Sequence, residues 1–169
     1  MGKHFEKSNA QEHPNMSMEV VSYNDILSME AKDYLNWSIN VFNEEFTMIL
    51  EDLEKLADGR PILVEGVNLL PKLIKNEITD IDHAVWLVSN EAFYTEYQMQ
   101  RKEMFERLKE CSNPEQALKN YMRDDLEFGK YILNDARKFN LNVLVVEKES
   151  DIMRYAEVIS SLFDKDLVQ

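Results

Sequence analysis

With 169 residues, 44% of them hydrophobic, the chain is long enough for one domain with a sizeable core and too apolar for wholesale disorder. A formal net charge of −13 argues against nucleic acid or an anionic membrane surface as the main partner, because both need concentrated positive charge. No apolar run approaches the ~20 residues of a spanning helix, the N-terminus lacks a signal-peptide core, and the single Cys111 has no partner for a disulfide or C-x-x-C site, so a cytoplasmic protein is expected.

Residues 1–17 are polar and without period, and are expected to form an irregular or short-helical lead-in. A long helix is predicted over about Glu30–Ala57. Its apolar residues Leu35, Ile39, Phe42, Phe46, Ile49, Leu53 and Leu56 alternate in steps of four and three, which suits a core face better than a coiled-coil seam of barely three heptads. Asp58-Gly59 ends it, with glycine suited to a left-handed conformation.

Next comes Pro61-Ile62-Leu63-Val64-Glu65, predicted as a buried parallel strand that delivers one carboxylate to a turn at Gly66, before a short helix opening near Leu69. A carboxylate at a strand end can hold a metal or move a proton; it can equally be a surface glutamate capping a turn. Further strands are predicted at about His83–Val88 and Asn142–Val146. Between them lie two helices, roughly Glu91–Glu110 and Pro114–Asn140, broken at Cys111-Ser112-Asn113-Pro114. There Asn113 can cap, or Ser112 can form a capping box with Glu115 if the helix starts one residue earlier. An amphipathic helix over about Asp151–Phe163, capped by Ser150, closes the domain. Asp80 and Asp82 before His83 are read as solvating a turn, since no H-E-x-x-H or comparable cluster marks a metal site. Trp86, Phe93, Tyr94 and Tyr97 are read as core and edge aromatics.

Positive charge is unevenly placed. Residues 1–60 carry 5 Lys/Arg against 12 Asp/Glu, whereas residues 101–138 carry 9 against 8.

The pattern Glu65-Gly66-x-x-Leu69-x-Pro71 resembles the second acidic motif of small P-loop kinases of the 2-phosphoglycerate-kinase-like and shikimate-kinase-like groups. Phe42–Leu53 resembles the helix preceding their acidic strand, Ala84–Val88 their next strand, Asn120–Asp124 their lid-exit helix and Leu141–Val146 their last strand. The resemblance covers about residues 4–163. It implies an α/β fold of three parallel strands with helices on both faces, a single domain over 1–169 with residues 91–140 as a helical lid. The implied chemistry is transfer of a γ-phosphoryl group from ATP or GTP to a small-molecule acceptor. In that reading Glu65 is catalytic or holds Mg2+, directly or through water, and Gly66, Arg101, Arg107 and Arg123 serve phosphate or nucleotide. The arginines also fit plain solvated helix faces with near-neighbour ion pairs.

One departure is large. The family's G-x-x-x-x-G-K-[ST] loop and the central strand before it have no counterpart, glycines falling only at 2, 59, 66 and 129. The expectation is a chain that starts at an internal position of a longer kinase-like protein, with little or no activity by itself. The alternative is a non-catalytic α/β interaction module that forms a homodimer through the long helix or through an open sheet edge at Ile62–Glu65 or Ala84–Val88.

Overall fold

The computed structural model describes residues 3–18, 22–147 and 151–163. Within them a small parallel sheet is flanked by helices, a mixed α/β arrangement. In chain order the elements are α1 (Lys3–Lys7), α2 (Tyr23–Ile26), α3 (Ala31–Leu56), α4 (Pro71–Ile74), β1 (Val85–Ser89), α5 (Glu91–Gln98), α6 (Lys102–Leu108), α7 (Pro114–Lys138), β2 (Asn142–Val146) and α8 (Ile152–Phe163). The predicted Ser150 cap lies outside the described residues.

The long helix forms as its periodicity dictates. Ile39 and Phe42 of α3 pack on a core of Leu70, Val88 and Ile132, and Phe46 and Ile49 are buried beside them. Leu56 is exposed, so the apolar face ends one turn before the helix does. A second stripe, Ser38, Val41 and Glu45, is buried as well. The N-terminal lead-in reaches this side of α3: the backbone N–H groups of Asn15 and Met16 donate to the Glu44 carboxylate at 3.0 and 2.9 Å, and His4 meets Glu45. Past α3, Gly59 takes φ +89°, the left-handed region its lack of Cβ permits.

α7 begins as predicted, the Asn113 side chain accepting from Gln116 N–H with Pro114 in the first turn, and no Ser112–Glu115 box is needed. Its end is a Schellman motif closed by Asn140 at φ +55°: Leu141 N–H donates to Ala136 C=O at 2.9 Å and Asn140 N–H to Arg137 C=O at 3.1 Å. The helix runs through two apolar clusters. Ala117 joins Leu27, Met104, Leu108 and Cys111, and Ile132 joins Leu70 and Val88 against the sheet. Cys111 is buried at the α6–α7 junction, as a thiol without a redox partner should be.

Three expectations are corrected. The predicted helix Glu91–Glu110 is two helices, because Met99, Gln100 and Arg101 tighten the chain: Gln100 and Arg101 N–H bond three residues back, to Tyr97 and Gln98 C=O. The strand predicted from His83 starts at Val85, residues Ile81–His83 forming a 3-10 turn capped by Asp80. The third correction matters most. Pro61–Glu65 is not a buried strand: the described residues contain a two-stranded sheet, β1 and β2 paired in parallel from Val85↔Asn142 to Ser89↔Val146, and residues 61–67 are all exposed. Strand-forming side chains bias a backbone toward extension, but a strand exists only where a neighbour supplies hydrogen bonds, and no described strand lies beside this one.

Gly129 sits inside α7, where a Cβ would meet Val88 Cγ1 at 3.5 Å, an ordinary contact. Gly129→Ala should therefore stabilise the fold by about 0.5–1 kcal/mol by restricting the unfolded chain, read as a raised urea midpoint at unchanged slope.

Candidate functional site

The segment that sequence reading placed at the catalytic centre is the most exposed apolar stretch near the sheet. Leu63 is 86% exposed, and Ile62, Val64 and Val67 are exposed with it. Only its C-terminal end is fixed. Asn68 Nδ2 donates to Glu45 Oε2 at 2.9 Å, the Trp86 indole N–H donates to Leu69 C=O at 2.8 Å, and Leu70 is completely buried. A Cβ at Gly66 would run into Asn68 Oδ1, so a larger residue there would push the Asn68 side chain out of this position. Glu45 also receives His4, whose Nδ1 lies 2.9 Å from Glu45 Oε1 and whose Nε2 lies 3.3 Å from Asp52 Oδ2. Lys55, and then His4, hold the Asp52 carboxyl below the usual range. Glu65 itself points to solvent, with no hydrogen bond or ion pair among the described residues.

Beside the segment's anchored end, β1 presents an edge. Asn90 N–H donates to Val146 C=O, so β1 residues in phase with Asn90, Trp86 and Val88, turn their backbone groups toward β2. Val85, Leu87 and Ser89 turn theirs away, and no described residue pairs with them. Leu87 is 55% exposed. The opposite edge of the sheet is covered: the Tyr155 hydroxyl of α8 donates to Val145 C=O at 3.2 Å and accepts from Glu147 N–H at 3.1 Å.

The three predicted arginines lie elsewhere, around a polar layer between the two apolar clusters. Asp124 and Asp125 interrupt the inner face of α7, and Tyr23, Tyr34, Tyr94 and Tyr121 surround them. The Tyr94 hydroxyl donates to Asp125 Oδ2 at 2.7 Å. Burial lifts the Asp125 carboxyl above its ordinary range, against the hydrogen bonds of Tyr94 and Tyr121 and the charge of Arg101. Burial, then Asp125, pushes Tyr121 up to about 12 and Tyr94 higher still. Arg123 is committed: Nε donates to Asp124 Oδ1 at 2.8 Å, and the terminal nitrogen donates to Met29 C=O at 3.0 Å. Arg101 and Arg107 are exposed at the rim, their charges acting on Tyr121 and Tyr23.

The structure thus brings Arg101, Arg107 and Arg123 to one polar layer, while the segment that carries Glu65 and Gly66 is held through Asn68 at Glu45, eleven residues or about 16 Å along α3 from Tyr34. Among the described residues no group of three or more His, Cys, Asp or Glu side chains is arranged to hold a metal ion. No described helix is long and apolar enough to cross a membrane. Comparison with protein-family models, curated proteins and solved structures returns no match for this chain.

The Tyr94–Asp125 pair was not anticipated, although α7 carried a signal. Its inward stripe Ala117, Tyr121, Phe128, Ile132 and Ala136 has acids at the 124–125 step, where an apolar residue belongs. A carboxyl with a raised folded-state pKa binds its proton more tightly folded than unfolded, so it stabilises below its unfolded value of 3.8 and loses that contribution as pH climbs through the folded value. Asp125→Asn keeps an acceptor for Tyr94 and cannot ionise. Its stability relative to the parent should therefore rise as pH is taken upward from 3.8, in urea titrations across that window.

Proposed function

We propose that this domain is a non-catalytic interaction module that forms a homodimer through the open edge of its sheet. One observation carries this reading: among the described residues, an exposed apolar segment, Ile62–Val64, and the β1 edge both stand without a ladder partner. Unpaired edges template strand addition, and exposed apolar runs cost free energy in water that association removes. Arg123, engaged with Asp124 inside a polar layer, serves cohesion of the α5–α7 region. Light scattering coupled to size-exclusion chromatography tests the proposal. A dimer that dissociates on dilution and is lost in Leu63→Asp supports it; a monomer at every concentration overturns it.

A second reading, a piece of a P-loop kinase-like phosphotransferase using Mg2+ and ATP or GTP on a small-molecule acceptor, is supported by one feature. The Glu65-bearing segment, rich in strand-forming side chains, stands outside the sheet among the described residues, as it would if a central strand belonged between it and β1. In this reading Glu65 is free to meet magnesium or the acceptor. Calorimetric titration with Mg·ATP separates the two readings: saturable heat, lost in Glu65→Gln, favours the kinase-like reading, and its absence favours the interaction module.

A further inference from the structure

Resting on the self-association reading, we infer that the strand added to β1 is residues Pro61–Glu65 of a second copy, parallel to β1 and exchanged reciprocally. Tyr155 already occupies the outward groups of β2 at Val145 and Glu147, so the incoming strand goes to Val85, Leu87 and Ser89. Pro61–Glu65 has the same five-residue length as β1. Its proline stands first, where a missing N–H leaves the ladder intact, and Ile62, Leu63 and Val64 are the side-chain types that strands favour.

Charge selects both the occupant and its direction. Two chains of net charge −13 repel, yet residues 60–75 carry Arg60, Lys72 and Lys75 against Glu65 alone, making this the kind of surface an acidic copy attracts. With Pro61 opposite Val85 in parallel alignment, Arg60 arrives beside Ala84, at the end of β1 that follows the Asp80–Asp82 turn, and Glu65 beside Ser89, at the end far from those acids. Antiparallel alignment would set Glu65 beside Val85, at the acidic end. In the single copy Arg60 holds Asp58 through an exposed pair that water competes with readily.

Symmetry favours exchange over direct edge-to-edge pairing. Among the described residues each copy offers an open β1 edge and a ladderless segment, so a two-fold exchange pairs both edges and covers both apolar segments, whereas β1–β1 pairing leaves Ile62, Leu63 and Val64 in water. The single copy does not close the contact on itself, although the Leu69–Trp86 bond holds the segment's end near β1.

Hydrogen exchange on the wild-type chain, concentrated and dilute, reads the exchange directly. Amides of Ile62 and Val64, the segment residues that face β1 in this register, and those of Val85, Leu87 and Ser89 are expected to slow together by at least about tenfold on dimer formation. The double variant Leu63→Pro, Val64→Pro, at exposed sites that leave the melting transition unchanged, is expected to be monomeric. Leu87→Lys, an edge charge that avoids the backbone strain of proline, should do the same from the other side of the contact. Protection confined to β1, or a proline variant that still dimerises, overturns strand exchange while leaving self-association standing. A wild-type chain that never self-associates overturns both, and gives the edge to a different partner.

Discussion

Replacing Arg123 by alanine is expected to cost the fold about 2–3 kcal/mol, far more than removal of a surface arginine. Its partner Asp124 is 1% exposed, and two arginine nitrogens lie within 2.8 Å of Asp124 Oδ1. The other oxygen, Oδ2, has no hydrogen-bond partner among the described residues. Without the guanidinium a buried carboxylate loses its countercharge and the connection before α3 loses the hydrogen bond that Met29 C=O accepts from Arg123. Breaking a fully buried pair costs about 3–5 kcal/mol, and the 36% exposure of Arg123 lowers that figure. Burial already raises the Asp124 pKa while Arg123 pulls it down. Removing Arg123 raises it further, so the deficit should shrink at acid pH, where the carboxyl is neutral in folded and unfolded chains alike. Adding Asp124→Asn should recover part of the loss at neutral pH. An arginine held in reserve for a transferring phosphate would behave otherwise: its removal would leave the urea midpoint within about 0.5 kcal/mol of the parent.

Local signals were legible and pairing was not. The α3 boundaries fall within a residue of those expected, β2 spans the predicted Asn142–Val146, and the Asn113-Pro114 start of α7 follows from side-chain chemistry inside four residues. Each of these is decided by neighbours in sequence. The status of Pro61–Glu65 depends on what lies alongside it in space, which five consecutive residues cannot specify. The cover over the second stripe of α3 was hidden for the same reason. Glu44 and Glu45 look like ordinary solvated acids until Asn15, His4 and Asn68 are brought to them from up to 41 residues away. Of the candidate site, the sequence showed a carboxylate after an extended run and three arginines. It did not show that the first is solvent-facing and that one of the others is locked to its neighbour, since both facts are tertiary.

Leu70→Ala should produce the other large loss, about 3 kcal/mol, within the 2–5 kcal/mol range for emptying a buried leucine site. Leu70 is 0% exposed between Val88 of β1 and Ile132 of α7, and it also begins α4 at the Pro71 turn. The surrounding sheet and helix are rigid elements that can collapse only partly into the vacated volume, so the cavity term adds to the lost transfer free energy. The effect reaches beyond the core because Leu70 follows Asn68 and Leu69, whose bonds to Glu45 and Trp86 fix the end of the exposed segment. Loosening that anchor widens the range of positions the segment samples and raises the entropy lost when it is ordered against a partner. Leu70→Ala is therefore expected to lower the urea midpoint and weaken self-association together. Leu63→Asp, in contrast, should abolish self-association with stability unchanged within about 0.5 kcal/mol, because an 86% exposed side chain has little folded-state packing to lose. Finding the two substitutions equivalent in both measurements would mean that Leu63 is packed in the single copy, and the segment could not then be the added strand.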